Sequence, residues 1–496
     1  MDNQKIKAYN IRYLLLICGI AALGGLLFGY DTAVISGAVN PISRYFELTP
    51  FETGWAVSNV AIGCIVGALT SGWLAGRLGR KKTLILSAVL FTISAVGAAV
   101  ATTFSSFIVY RLIGGLAVGI ASSVSPMYMS EVSPKSIRGR AVGMQNFAIV
   151  FGQVVIFFGN FMIAKGAATE WIDTVGWRIM IGSEVIPCAL FCMVVFLIPE
   201  SPRWLVMQGN QKRAHKILKK IGGEAYADKE LEAIERSIEE QQECKQHQSR
   251  ASDLLRESRF WLVAVIACMI AVFQQASGVN VMMYFAPVLL EGVTGDAETA
   301  LFMTIWIGVI QLVGTAIGSF MMDRVGRVPL LRIGSLGCIL GLLITSYFLY
   351  ESGQVGPESA TLYGYLTLIG MLIFMVFFSF SWALGAWIIV SEIFPNRMRS
   401  LGMSIAVTIL WVSNFLISLL FPILNENTYL VENFNGAAPM WLFAGIMMCA
   451  YWFVGRFLPE TKGVSLEKME QILVEKVHGK KAWKKSIQSS KRMVAK

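Results

Sequence analysis

Charge is scarce in this chain. Asp, Glu, Lys and Arg make up 15% of its 496 residues, and none of them occurs from Trp261 to Leu290. A water-soluble globular protein carries about a quarter of its residues as charges, so that class is excluded. Histidine is rarer still. His215, His247 and His478 all fall outside the long apolar runs, which leaves no histidine to carry a proton within them. The eight cysteines stand singly, without a CxxC pair, so neither a disulfide framework nor a metal or cofactor site is expected. A cleavable signal peptide is not expected either, because the first apolar run is of spanning length and many more follow. What the chain has in plenty is apolar side chains, 55% of the total. Backbone polar groups in lipid must be satisfied internally, which predicts an all-α polytopic membrane protein.

Twelve runs are long enough to cross a bilayer, near 12–36, 54–75, 83–102, 105–128, 141–163, 178–198, 260–290, 300–321, 329–350, 361–390, 401–423 and 438–457. The formal net charge of +10 would suit nucleic acid if it were clustered on a soluble domain. Instead, Lys and Arg crowd the short loops after even-numbered spans: Arg77, Arg80, Lys81 and Lys82; Lys135, Arg138 and Arg140; Arg324 and Arg327; Arg397 and Arg399. That is the positive-inside bias, so the partner is the lipid bilayer, nucleic acid is excluded, and both termini are expected in the cytoplasm. Residues 201–257 form one long polar insertion in which Leu231, Ile234 and Ile238 recur at helical spacing. Short amphipathic helices follow, serving either as a passive linker or as a cytoplasmic latch. The expected domains are 1–200, 201–257, 258–460 and a basic tail, 461–496.

The two halves repeat. Arg77-Leu-Gly-Arg80 returns as Arg324-Val-Gly-Arg327, Ser130-Glu131-Val-Ser-Pro134 as Ser391-Glu392-Ile-Phe-Pro395, and Pro199-Glu200 as Pro459-Glu460. Each copy follows the same span of its half. Six spans is an even number, so the halves are parallel repeats and a solute site is expected at their interface.

Phe273-Gln-Gln-Ala-Ser-Gly-Val-Asn280 opens the second half within the stretch that carries no charge. Amides in a span either join helices or line a wet cavity. Gln275 and Asn280 point about 140° apart on an ideal helix, so they meet on one ligand only if the helix bends. Ser277-Gly278 supplies the hinge. Three strongly charged residues also lie within spans: Asp31, Arg111 and Glu184. All three fall at a similar level, roughly 8–10 Å below the outer ends of their spans. An arginine bridging two carboxylates is the least costly arrangement, acting either as a structural triad or as a proton-coupling device centred on Asp31. Glu131, Arg138, Glu392 and Arg399 read as cytoplasmic gating charges, together with Arg80 and Arg327.

The chain resembles the sugar porters of the major facilitator superfamily, most nearly the bacterial D-xylose–proton symporters. The resemblance covers residues 20–470. It rests on the ordered set Gly25-Leu-Leu-Phe-Gly-Tyr-Asp31, Arg77-Leu-Gly-Arg80, Pro199-Glu-Ser-Pro-Arg203-Trp204, Phe273-Gln-Gln275, Asn280, Ser391-Glu-Ile-Phe-Pro395 and Pro459-Glu-Thr-Lys-Gly463. It implies that Gln153, Gln274, Gln275 and Asn280 hydrogen-bond the sugar, that Trp387 contacts it, and that Phe28, Tyr284 and Trp411 line or close the pocket. Aspartate at position 31 goes with proton-coupled members. Three positions depart from the family. Ala383-Leu-Gly-Ala-Trp387 lacks the usual proline, Leu410 replaces an amide, and Gly76 replaces an aspartate that Asp323 keeps in the second half.

The function this implies is proton-coupled import of a neutral monosaccharide, D-xylose first, across the bacterial inner membrane by alternating access. No enzymatic chemistry and no cofactor are implied, and a monomer is expected. The rival is a facilitator or symporter for glucose, galactose, arabinose or inositol. A sugar sensor that does not transport is a different class of reading, and the intact set Asp31, Arg111 and Glu184 argues against it.

Overall fold

The computed structural model describes residues 9–247, 258–354, 359–394 and 398–462. The basic tail beyond Lys462, the loop residues Pro395 and Arg397 and the side chain of Asp323 lie outside that description. Twelve helices are long and apolar enough to cross a membrane: Ile11–Phe46, Pro50–Leu78, Arg80–Ala99, Phe104–Val132, Arg138–Ala164, Thr169–Leu197, Phe260–Tyr284, Ala297–Met322, Arg327–Ser352, Ala360–Glu392, Leu401–Asn425 and Ala438–Phe457. The chain divides into two compact units, Met1–Gln248 and Ser249–Lys496, each holding six spans.

Within each unit the spans pair in the same pattern. In the first, span 1 packs on span 5, span 2 on span 4, and span 3 on spans 4 and 6. In the second, span 7 packs on span 11, span 8 on span 10, and span 9 on spans 10 and 12. The repeat in sequence is therefore a repeat in packing. Spans 1 and 5 approach until their backbones touch at Gly29 and Gly152. Small residues at a crossing are how helices in lipid maximise dispersion contact.

The repeated loop motifs build the same structure twice. Gly79 and Gly326 have φ of 91° and 102°, and a Cβ at either would collide with the carboxylate of Glu200 or Glu460. Those carboxylates accept from the backbone N–H groups that open the next span. Glu200 takes Arg80 N at 2.8 Å and Lys81 N at 3.1 Å; Glu460 takes Arg327 N and Val328 N, both at 3.0 Å. The first four N–H groups of a helix lack internal partners, and an anion there satisfies them.

Span ends differ from the sequence reading by more than a few residues at three places, the seventh span closing at Tyr284 where its apolar run reaches 290. The first helix runs ten residues past 36, through Asn40-Pro41 to Phe46, because Val39, Pro41 and Ile42 are buried and packing overrides the loop-like composition. The sixth begins at Thr169 and passes through a π turn at Ile172–Gly176. Arg44 at the end of span 1 pairs with Asp173 there at 3.0 Å.

The insertion folds as Pro202–Met207, Gln211–Gly222 and Glu224–His247. Leu218, Ala227 and Ile234 form its small core, with Leu231 and Ile238 packed against it, as the periodicity predicts. It belongs to the first unit, tied there by Asn10 N donating to Ile221 O at 2.8 Å and by Tyr9 edge-on to Tyr226.

Candidate functional site

The seventh span stops at Ala276, passes through Gly278 at φ 92°, and resumes as Val279–Tyr284. The hinge expected at Ser277-Gly278 is therefore a true break. Ser277 Oγ donates to Gln274 O at 2.7 Å and accepts from Val279 N at 3.3 Å, so one hydroxyl serves both broken ends. The turn brings Asn280 round to Gln275, and Asn280 Nδ2 donates to Gln275 Oε1. Gln275 Nε2 donates to Gln274 Oε1 at 3.2 Å, and Gln274 Nε2 reaches Trp382 O at 3.4 Å.

That last carbonyl lies one residue past a break in the tenth span. Its helix ends at Phe380 and restarts at Trp382, with Ser381 at φ −118° and ψ −78°. The bend survives without the family proline and lies ahead of Ala383. Trp382 is fully buried and its indole N–H donates to Ser335 Oγ at 3.0 Å, which anchors the break.

A fourth amide joins that the sequence reading missed. Asn414 Nδ2 in span 11 donates to Gln275 Oε1 at 3.3 Å. Its signal was a lone carboxamide in an apolar run, three residues after Trp411, which reads equally as helix glue. Gln274, Gln275, Asn280 and Asn414 are all at least nine-tenths buried, so four amides converge in the interior of the second unit. Tyr284 and Trp411 are buried in the same unit, while Trp387 is 45% exposed and shares a small void with Leu410. A further buried amide there, Gln311, keeps its Oε1 without a partner.

In the first unit, Phe28 and Gln153 sit beside the Gly29–Gly152 crossing of spans 1 and 5, Phe28 half-buried and Gln153 buried. Gln153 Oε1 has no partner. Gln145, two turns earlier in span 5, is buried against Gly25 with both amide atoms unpartnered.

The intramembrane charges come together in part. Arg111 Nη1 lies 3.0 Å from Asp31 Oδ1 and 3.2 Å from Asp31 O, and both side chains are almost fully buried. Glu184, buried in the same unit, forms no ion pair among the described residues. The arginine therefore holds one carboxylate and does not bridge two. Common depth did not guarantee a shared face. Glu184 follows a tightened turn of its span, where Glu184 N donates to Ile181 O at 3.2 Å and Ser183 Oγ meets Tyr30 OH at 2.8 Å. Asp31 Oδ2, Arg111 Nη2 and Glu184 Oε1 are left buried without partners.

At the motif ends of the units, Arg80 pairs with Glu131 at 2.8 Å and Arg327 with Glu392 at 3.0 Å. Arg138 and Arg399, read as belonging to the same gates, each leave a buried Nε without a partner.

Twelve spans in two repeated units, with broken helices and buried amides, define a membrane transport protein for a polar solute. The family described as "Sugar (and other) transporter" matches residues 17–473, and the chain belongs to it. It is 36% identical to the D-xylose-proton symporter of Escherichia coli (strain K12), over 94% of this chain and 96% of that protein. It is also 36% identical to the glucose transport protein of Synechocystis sp. (strain ATCC 27184 / PCC 6803 / Kazusa), over 93% of this chain and 97% of that one. Among solved structures it resembles the inward open conformation of the xylose transporter XylE from E. coli, with TM-score 0.80, 35% identity, and coverage of 93% of this chain and all of that one. The protein is a multi-pass inner-membrane sugar transporter, not an enzyme.

Proposed function

We propose that the protein imports a neutral monosaccharide together with a proton, with D-xylose as its first substrate, by alternating access of two six-span units. The observation that carries this reading is the cluster of four buried amides on the broken seventh span. A polyol needs paired donors and acceptors for its hydroxyls and aromatic faces for its C–H surface. Gln274, Gln275, Asn280 and Asn414 supply the first, and Tyr284, Trp387 and Trp411 the second. On the family resemblance, Gln153 and Phe28 of the first unit are assigned to the sugar as well. Asp31, held by Arg111, is assigned the transported proton, with Glu184 assigned to the same coupling set. The pairs Arg80–Glu131 and Arg327–Glu392 are assigned to cytoplasmic gating, with Arg138 and Arg399 beside them. The basic loops support a cytoplasmic position for both termini, residues 201–257 are assigned as a helical linker, and the working form is taken as a monomer.

A specific observation supports a second reading, transport of another sugar: the apolar Leu410 beside Trp387 removes a hydrogen-bonding group from the cluster's neighbourhood. Uptake of labelled D-xylose into proteoliposomes, with D-glucose, D-galactose, L-arabinose and myo-inositol as competitors, tests both. D-Xylose is expected to enter and to compete best. Uptake of D-glucose without D-xylose would favour the second reading, and uptake of none would overturn both.

A further inference from the structure

We infer that the seam between spans 9 and 12 binds the phosphate of an anionic phospholipid, with Arg332 as its ligand, at the motif end of the second unit.

Arg332 is a charge inside a span. It stands five residues past Arg327, about 7 Å into span 9. No carboxylate among the described residues pairs with it. One Nη donates to Tyr451 Oη at 2.6 Å, the guanidinium lies 4.5 Å from the centre of that ring, and Nε is buried without a partner. A charged side chain in a span is costly, and the usual relief is to extend toward water. Arg332 reaches sideways instead, to a tyrosine six residues from the end of span 12. Gly455, one turn nearer that end, leaves the guanidinium uncovered: a Cβ there would stand 3.5 Å from Arg332 Nε, and the glycine has none.

The repeat shows that the fold does not need these residues. By the offsets that relate the loop motifs, Arg332 answers to Ile85, Tyr451 to Phe191, Gly455 to Val195 and Arg456 to Phe196. Spans 3 and 6 pack through the apolar set, and spans 9 and 12 through the polar one. The flanks of the seam are apolar and outward-facing. Ile333, Leu336 and Leu340 recur at helical spacing on span 9, and Trp452, beside Tyr451, is 62% exposed. Tryptophan and tyrosine gather at the headgroup level of a bilayer. A basic pocket between spans at that level suits a lipid headgroup. Phosphate oxygens match the forked N–H donors of a guanidinium, which lysine would not offer. The chain beyond Lys462 carries nine Lys and Arg against three Glu, so its charge draws it to the same anionic surface and not to Arg332. A phospholipid therefore supplies the missing anion, and its acyl chains follow the stripe of Leu336 and Leu340.

Native mass spectrometry of the purified full-length protein, titrated in detergent with dioleoylphosphatidylglycerol or dioleoylphosphatidylcholine, tests this. Phosphatidylglycerol should bind the more tightly. Arg332→Ile, which installs the residue the first unit uses there, should weaken phosphatidylglycerol about tenfold or more, the effect of losing charge-assisted hydrogen bonds. Gly455→Val keeps the arginine but covers it, and should weaken the same lipid without removing a charge. Lys82→Ala removes an exposed charge at the motif end of the first unit and should leave binding close to wild type. Equal binding of the two lipids, or equal phosphatidylglycerol binding in wild type and both seam variants, would overturn the site. A loss in Lys82→Ala as large as in Arg332→Ile would reduce it to diffuse attraction. Displacement of the lipid by inorganic phosphate would assign Arg332 to a free anion and overturn the lipid as its ligand.

Discussion

Gln275 Oε1 accepts from two amides, Asn280 and Asn414, while its own Nε2 donates to Gln274. This one side chain fixes the orientation of its three neighbours. Its removal therefore does more than delete a ligand, because it leaves two buried N–H groups without an acceptor. Gln275→Ala is expected to weaken sugar binding by about 1–3 kcal/mol, or roughly five- to 150-fold in Kd, and to lower thermal stability as well. Asn414→Ala removes one donor and leaves the Gln275–Asn280 contact in place, so its effect on affinity should be smaller, about tenfold at most. Calorimetric titration of both variants checks the order, and an Asn414→Ala loss exceeding that of Gln275→Ala would contradict the hub role. Asn414 shows where residue-level reading of a sequence stops. Gln274, Gln275 and Asn280 announce themselves by crowding. A single asparagine in an apolar helix does not, since its partner sits 139 residues away and only packing reveals it.

At the scale of the element, the breaks matter more than the helices. Gly278 lies in the left-handed region, and a Cβ there would stand 2.8 Å from the Phe443 ring. Gly278→Ala should therefore destabilise the second unit by about 1–2 kcal/mol from backbone strain alone, and it should turn Asn280 away from Gln275. Thermal unfolding combined with sugar titration would register both effects. Intact binding would show that the break is not what brings the two amides together. This hinge was legible because glycine beside serine inside a polar patch has few other uses. The break at Ser381 was not, since no glycine or proline marks it and tertiary contacts of Trp382 hold it open. Nor was the length of span 1, where Asn40 and Pro41 resemble a loop until their neighbours prove buried.

The motif loops carry a pH signature of their own. Burial pushes the Glu460 carboxyl up, but backbone N–H groups of Arg327, Lys462, Val328 and Thr461 outweigh it and hold the carboxyl below the usual glutamate range. A depressed carboxylate stabilises the fold above its unfolded pKa, and that contribution disappears as pH falls through the folded value. Glu460→Gln should therefore lower the unfolding midpoint by a few degrees at neutral pH, and the difference from wild type should shrink below about pH 4. A constant difference across that range would mean that the carboxylate's charge is not the source.

Across the whole molecule, the two units repeat in packing but not in interior chemistry. The buried ion pair, Asp31–Arg111, lies in the first, and the four converging amides lie in the second. The repeat was legible from the loop motifs. The contacts within each set were not, because equal depth along two helices leaves their facing sides undetermined, as Glu184 illustrates. If the proton engages Asp31 while the sugar is held by the amides, one can be disabled without the other. Asp31→Asn keeps the side chain's size and a hydrogen-bonding oxygen but cannot release a proton, so sugar binding should remain close to wild type. Accumulation driven by a pH gradient should be lost, and so should sugar-induced alkalinisation of the medium around expressing cells. Counterflow, which needs no net proton movement, should continue at a reduced rate. Arg111→Ala should be impaired in all of these assays, since it strands Asp31 as an unpaired buried charge, a change that costs about 3–5 kcal/mol where it has been isolated. Asp31→Asn cells that still concentrate sugar with a proton signal would remove Asp31 from the coupling role and make Glu184, buried within the sixth span, the next carboxylate to test.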